Sequence, residues 1–112
     1  MTLILLIGGK IKTIMVVDDE LNVLEDVKTC LLKEDFEVVT VDNSRKAFEI
    51  MDNDENNFSL ILIGTRLPNS DIPAFFSMKP ESKRNIDTST ESNFLKKPFT
   101  KQELLDFVKS RL

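Results

Sequence analysis

The chain has 112 residues, enough for one domain, and 41% of them are hydrophobic while 30% are charged. Its net charge of −4 argues against direct binding of nucleic acid, which needs a basic surface. The sequence lacks histidine and has one cysteine, Cys30, which excludes histidine-based sites and internal disulfides and predicts a cytoplasmic protein. The apolar run at residues 3–7 is too short for a signal peptide or a membrane span.

Residues 14–17 form a continuous apolar run rich in branched side chains, which predicts a strand buried on both faces. Asp18 and Asp19 end this run. Apolar residues then recur at spacings of three and four, which predicts an amphipathic helix with a buried stripe of Leu21, Leu24, Val27 and Leu31. Either Asp19 or Glu20 can provide the N-cap of that helix.

A second strand and helix follow. Residues 36–41 are rich in branched side chains and predict a strand, and Ser44 can cap a helix whose apolar face carries Ala47, Phe48 and Met51. The polar residues 52–57 predict the end of this helix. Residues 58–63 form the clearest predicted strand, which should stop at Gly64, ahead of a loop.

The end of the chain predicts a further strand and helix. Residues 94–95 suggest a short last strand, and Thr100 and Glu103 have the spacing of a capping box. The helix after this box has a predicted buried stripe of Leu104, Leu105, Val108 and Leu112. Strands that alternate with helices predict a parallel α/β sheet, in which ligand-binding groups collect at the carboxyl ends of the strands.

The middle of the chain, residues 64–97, is too short for the two helices, one strand and loops that this pattern requires. In one interpretation residues 72–78 form the fourth strand and a turn at residues 69–71 replaces the third helix. In the other, a short third helix begins at Pro73, residues 84–89 are a remnant strand and the fourth helix is missing. Proline suits a first helical position, which favours the second interpretation.

Two features of the predicted sheet edge suggest phosphoryl chemistry. Adjacent carboxylates such as Asp18 and Asp19 repel each other, and a hard cation such as Mg²⁺ relieves that repulsion. A lysine such as Lys97 at a neighbouring strand end supplies positive charge for a phosphoryl oxygen. Each feature alone is weak evidence, because two acids before a helix usually only cap it and a Lys-Pro pair is usually only a turn.

In combination with the order of the elements, three motifs make the chain resemble the receiver domain of bacterial and archaeal response regulators of two-component systems. The motifs are Ile14-Met15-Val16-Val17-Asp18-Asp19-Glu20, Leu60-Ile61-Leu62-Ile63-Gly64-Thr65-Arg66-Leu67-Pro68 and Phe94-Leu95-Lys96-Lys97-Pro98-Phe99. The resemblance is good over residues 13–68 and 94–112 and poor between them. It implies a flavodoxin-like fold, a doubly wound parallel sheet that is shortened between the third strand and the last strand.

By this resemblance, Asp18 and Asp19 are the Mg²⁺-binding acids. Lys97 contacts the phosphoryl group, and its peptide bond to Pro98 is cis. The phosphorylated aspartate of the family corresponds to Gly64, which can neither accept phosphate nor provide a third carboxylate to the metal. The resemblance therefore implies a pseudo-receiver that is not phosphorylated and whose Mg²⁺ site is weak or vestigial.

The resemblance also implies two switch positions. Phe94 would hold the aromatic switch position on the last strand. The switch hydroxyl would be Ser77 under the first interpretation of the middle, and Thr88 or Ser89 under the second.

Partner contacts in this family often use the face formed by the fourth helix, the last strand and the last helix. Loss of a helix there would expose apolar surface such as Phe75, Phe76 or Phe94. We therefore expect another chain, for example a second copy in a homodimer, to cover this face. The expected function is a non-enzymatic phosphorelay module that docks onto a sensor kinase, another regulator or its own copy.

Two other functions remain open at this point. A small Mg²⁺-dependent phosphatase or nucleotide-binding enzyme would use Asp18 and Asp19, but the sequence offers it neither a nucleophile motif nor a glycine-rich phosphate loop. A decayed receiver would have no activity and would unfold without cooperativity.

The first 13 residues precede the receiver-like pattern. Residues 2–7 would add a strand at the sheet edge, or they belong to a disordered leader that reflects an upstream translation start. We therefore divide the chain into residues 1–13, an extra leader or edge strand, and residues 14–112, the receiver-like domain.

Overall fold

A computed structural model of the chain describes residues 11–52, 58–79 and 93–112. Within these ranges the elements are β1 (Thr13–Val17), α1 (Leu21–Leu32), β2 (Glu37–Val41), α2 (Ser44–Met51), β3 (Leu60–Arg66), β4 (Pro73–Met78), β5 (Phe94–Lys96) and α3 (Lys101–Lys109). The predicted strands at residues 2–7 and 84–89, and with them Thr88 and Ser89, lie outside the described residues. No helix in the described ranges has the length and apolar character needed to cross a membrane.

The five described strands form one sheet in the order β2-β1-β3-β4-β5. β1 is parallel to β2 and β3, whereas β4 is antiparallel to both of its neighbours, β3 and β5. The chain is therefore an α/β protein with a mixed sheet, and the expectation of a wholly parallel sheet is wrong at β4. Because β5 reverses direction again, its carboxyl end lies at the same edge of the sheet as the carboxyl ends of β1, β2 and β3.

The direction of β4 follows from the length of its connection to β3. Only residues 67–72 separate the two strands, whereas a parallel crossover needs about a dozen residues or more. The Leu67 N–H donates to the Ile72 carbonyl at 2.9 Å, and Asn69 takes a left-handed conformation (φ 57°), which asparagine tolerates. A tight turn thus replaces the third helix, as the first interpretation of the middle predicts.

The alternative helix beginning at Pro73 is wrong, because the side chains that follow it alternate between the two faces of the sheet. Phe75 is completely buried on one face, and Phe76 is 8% exposed on the other. Pro73 is the first residue of β4, a position where a strand tolerates a missing N–H. The expected exposure of Phe75 and Phe76 is therefore also wrong, while Phe94 is half-buried.

Two apolar clusters lie on opposite faces of the sheet, because successive strand residues point to opposite sides. The cluster packed against α1 and α3 includes Ile14, Val16, Leu24, Val27, Leu31, Leu62, Phe75, Leu104, Leu105 and Val108. The cluster packed against α2 comprises Met15, Val17, Val41, Ala47, Ile61, Phe76 and Met78. Helices therefore cover both faces of the sheet.

The helical stripes agree with the sequence pattern only in part. The buried residues of α1 are Leu24, Val27 and Leu31. Leu21, predicted to belong to the same stripe, is 67% exposed because it is the first residue of the helix. In α2 Ala47 is buried, whereas Phe48 is 56% exposed because the next residue lies about 100° further around the helix.

Local hydrogen bonds determine where α2 and α3 begin. The predicted capping box is confirmed, since Thr100 Oγ1 accepts from the Glu103 N–H at 3.1 Å and Glu103 Oε1 accepts from the Thr100 N–H at 2.8 Å. In α2 the N-cap is Asn43, whose Oδ1 accepts from the Lys46 N–H at 2.9 Å. Ser44, predicted to be that cap, is the first helical residue instead.

The end of α3 is fixed to β4 by Arg111. Its guanidinium lies 3.7 Å from the centre of the Phe107 ring, and its Nε donates to Ser77 Oγ at 2.9 Å. Ser77 Oγ in turn donates to the Asn93 carbonyl at 3.3 Å. Burial lowers the pKa of the Arg111 guanidinium.

An ion pair also joins α3 to the end of α1, since Lys109 Nζ lies 2.7 Å from Glu34 Oε1. The hydrogen bond from Lys109 lowers the pKa of Glu34, and the charge of Lys109 lowers it further. The contribution of this pair to stability is therefore complete above the ordinary pKa of a glutamate. It is lost as the pH falls through the lowered pKa of the folded protein.

Two leucines of α1 test this description of the core. Leu31→Ala should lower the free energy of unfolding by about 2–5 kcal/mol, because it leaves a cavity at a fully buried position. Leu21→Ala should change it by less than about 0.5 kcal/mol, because Leu21 remains in contact with water. Urea unfolding of both variants measures the difference, and equal losses would contradict the described orientation of α1.

Candidate functional site

Three of the predicted site residues meet at one edge of the sheet. Asp18 follows β1, Gly64 lies in β3 and Lys97 follows β5. Val17 of β1 pairs with Ile63 of β3, so the residues that follow them, Asp18 and Gly64, are neighbours. The Lys97 N–H donates to the Pro73 carbonyl at 2.9 Å, and the Lys97–Pro98 peptide bond is cis, as the resemblance implied.

The centre of the site is an ion pair between Asp18 and Lys97. Asp18 Oδ2 accepts from Lys97 Nζ at 2.5 Å, and the two side chains are only 2% and 13% exposed. Asp18 Oδ1 accepts from the Glu20 N–H at 2.8 Å, where α1 begins. Lys97 Nζ also lies 4.5 Å from the centre of the Phe75 ring, so the ammonium contacts a carboxylate and an aromatic face. The pair thereby links the ends of β1 and β5 across β3 and β4.

Gly64 leaves the space that the Asp18 carboxylate occupies in this pair. A Cβ atom at this position would lie 2.5 Å from Asp18 Oδ2, 2.9 Å from Asp18 Cγ and 3.2 Å from the Val17 carbonyl oxygen. The first two distances are shorter than non-bonded heavy atoms tolerate, so any side chain at position 64 would displace the carboxylate. Sequence reasoning identified Gly64 by the acceptor that it lacks, and missed this steric role because it depends on where Asp18 lies.

An open cleft of about 550 Å³ surrounds the pair, with charged lining residues Asp18, Asp19, Glu20, Asp42, Arg66 and Lys97. Acidic groups outnumber basic ones, and Lys97 is already neutralised by Asp18. The second basic residue, Arg66, donates from its guanidinium to the Asp71 carbonyl at 2.9 Å. The cleft therefore has a negative field that disfavours a free phosphate ion.

The acidic residues of the cleft were predicted to bind Mg²⁺. Carboxylate oxygens of Asp18, Asp19 and Glu20 lie within 4.8 Å of one another, and such oxygens suit this metal. Asp18, however, already binds the ammonium of Lys97, whose charge would repel a second cation. Gly64 adds no ligand. The donor set thus fits Mg²⁺ poorly, and only the exposed Asp19 and Glu20 are free to hold it.

The structure does not bring Ser77 to this site. Because β4 is antiparallel to β3, Ser77 pairs with Leu62, away from the carboxyl edge, and its hydroxyl binds Arg111. Its position therefore gives no support to its predicted role as a switch hydroxyl. The other predicted hydroxyls, those of Thr88 and Ser89, lie outside the described residues.

Two aromatic residues near the site, Phe94 of β5 and Phe75 of β4, lie on opposite faces of the sheet. Phe94 packs in the cluster beneath α2, with its ring centre 5.1 Å from that of Phe76. The aromatic ring that contacts Lys97 is Phe75, on the opposite face of the sheet. Sequence reasoning missed Phe75 because its position at the site depends on the direction of β4.

The buried ion pair can be compared with the more exposed pair between Lys109 and Glu34. Lys97→Met should lower the free energy of unfolding by about 3–5 kcal/mol, because it leaves the Asp18 carboxylate buried without its partner. Lys109→Met should have a much smaller effect, because both members of that pair contact water. Chemical unfolding of the two matched variants provides the measurement, and a Lys97→Met loss no larger than the Lys109→Met loss would contradict a buried pair.

Comparison of the chain with models of protein families, with curated proteins and with solved structures finds no match.

Proposed function

We propose that the chain is a receiver-like response regulator module of a two-component phosphorelay, which is not phosphorylated and acts through protein–protein contacts. The Asp18–Lys97 pair above Gly64 is the observation that carries this proposal. The residues that resemble a receiver's metal-binding acid and phosphoryl-binding lysine lie together at one sheet edge. The acceptor between them is replaced by glycine, and the Asp18 carboxylate occupies the space that an acceptor's Cβ would need.

The sheet supports the receiver-like part of the proposal. Its strand order, β2-β1-β3-β4-β5, is the order of flavodoxin-like sheets, and helices cover both faces. The antiparallel β4 departs from that fold, and the six-residue connection before it accounts for the departure. We therefore propose a flavodoxin-like fold in which a turn has replaced the helix between β3 and β4.

The chemistry of the cleft supports a binding role over catalysis. Asp18 uses both carboxylate oxygens within the protein, and Lys97 is neutralised by Asp18. The alternative, a Mg²⁺-dependent phosphatase or nucleotide-binding enzyme, would need these two groups free for metal and substrate. We therefore propose that the module is not an enzyme, and that any binding of Mg²⁺ is weak.

The proposed partners are proteins of the cytoplasm: a sensor kinase, another regulator or a second copy of the chain. No direct contact with nucleic acid or membrane is proposed. Phe48 is 56% exposed on α2, and Phe94 is half-buried on the face of the sheet that α2 covers. Single exposed apolar side chains of this kind are normal on a protein surface, so they do not locate the contact site of the proposed partner.

Intact mass after incubation with acetyl phosphate and Mg²⁺ tests the proposal. The natural chain should gain no phosphoryl group, because Gly64 offers no acceptor and Asp18 is buried in its ion pair. Gly64→Asp should gain one, because the new side chain displaces Asp18 and supplies both an acceptor and a third carboxylate. Gly64→Asn is the matched control, because its similar side chain cannot form an acyl phosphate.

Phosphorylation of the natural chain that disappears in Asp18→Asn would show that Asp18 is an acceptor, contrary to the proposal. A Gly64→Asp variant that is folded but gains no phosphoryl group would remove the support for a receiver-like site. Circular dichroism of each variant establishes that it is folded before its mass is interpreted.

A further inference from the structure

A second cavity adjoins the ion pair. It is a groove of about 650 Å³ that shares Glu20, Pro73 and Lys97 with the acidic cleft. Its apolar walls come from α1 and from the segment that leads from β5 into α3, and are formed by Val23, Cys30, Pro98, Phe99 and Leu104. We refer to this cavity as the apolar groove. Its two walls belong to segments that lie far apart in the sequence.

Asp18 connects the two walls of the apolar groove. Its Oδ1 accepts from the Glu20 N–H, at the start of the α1 wall, at 2.8 Å. Its Oδ2 accepts from Lys97 Nζ, at the start of the opposite wall, at 2.5 Å. One carboxylate therefore binds both walls, and a Cβ atom at position 64 would lie 2.5 Å from its Oδ2 and displace it from this position.

Phe75 packs against the wall of the apolar groove that contains Lys97 and Phe99. The Lys97 ammonium lies 4.5 Å from the centre of its ring, and the ring centre of Phe99 lies 6.0 Å from it. Phe75 is completely buried, so its ring provides a fixed base for Lys97 and Phe99. The segment after β5 is thus held by an ion pair at one point and by aromatic packing at the next.

We infer that the Asp18–Lys97 pair is a lock that holds the apolar groove in one shape without any phosphoryl or metal signal. Asp18 is 2% exposed and both of its oxygens are engaged, so a phosphoryl donor has no access to the group that holds Lys97. The inference rests on the proposed function for its meaning, since a module without phosphorylation would then keep the apolar groove in one permanent shape.

Cys30 provides a reporter for the lock. It is the single cysteine of the chain, it is half-buried, and it lines the apolar groove. Alkylation of such a thiol by iodoacetamide depends on how often its surroundings open. The rate can be followed by intact mass on the full chain, without knowledge of a partner. Measurement at several pH values separates a change in the pKa of the thiol from a change in opening.

We expect Gly64→Ala and Asp18→Ala each to increase the alkylation rate of Cys30 by about tenfold, equivalent to about 1.4 kcal/mol in the free energy of opening. Thr40→Ala, an exposed residue of β2 outside both cavities, is the control and should leave the rate unchanged. The double variant should react no faster than Asp18→Ala, because the added methyl group then has no carboxylate to displace.

If Cys30 is alkylated in folded Gly64→Ala and Asp18→Ala at the same rate as in the natural chain, the lock is overturned. If both variants unfold, amide hydrogen exchange of the natural chain decides instead. The lock requires that the amides of Glu20 and Lys97 be protected with similar opening free energies, because both depend on the same arrangement. Exchange of either amide at the rate of an unprotected peptide would overturn the lock.

The proposed function and the lock can be contradicted by different results. Unchanged alkylation together with no phosphorylation by acetyl phosphate would overturn the lock and leave the proposed function in place. Phosphorylation of the natural chain would overturn the proposed function, because Asp18 would then be reached by a phosphoryl donor, and it would overturn the lock as well.

Discussion

A single carboxylate, that of Asp18, organises the carboxyl edge of the sheet. It binds Lys97 beyond β5 and the backbone of Glu20 at the start of α1, and it is almost fully buried. A buried charge is tolerated when it is paired and its remaining oxygen is hydrogen-bonded, and both conditions hold here. A Cβ atom at position 64 would lie 2.5 Å from the carboxylate oxygen that binds Lys97. In the proposed function, the glycine that leaves the site without an acceptor therefore also leaves space for the ion pair.

The short connection between β3 and β4 is a second constraint on the site. Because it is too short for a crossover, β4 runs antiparallel and presents Phe75 beneath Lys97, while Ser77 moves away to bind Arg111.

Local signals in the sequence predicted most of the helices and strands. The apolar runs of β1 and β3 and the capping box of α3 depend on neighbouring residues, and the structure confirms them. The direction of β4 was not predicted, because the alternation of strands and helices predicted a wholly parallel sheet and the residues after Pro73 also suit a helix. The six-residue connection from β3 decides it. The Asp18–Lys97 pair joins residues 79 positions apart, and its dependence on Gly64 is steric. No local sequence pattern encodes this pairing or its steric dependence on Gly64. The resemblance therefore predicted the residues of the site but not their contacts.

The most direct test is the amide spectrum of the natural chain during titration with Mg²⁺ and beryllofluoride, a non-covalent mimic of an aspartyl phosphate. If the Asp18 carboxylate has taken the acceptor's space and neutralised Lys97, the amide signals of Gly64 and Lys97 should show no saturable shift. The same titration of Gly64→Asp, in which an acceptor is present, should shift them. Saturable shifts of both signals in the natural chain would contradict the account, because they would place a phosphoryl-like group where the ion pair is described.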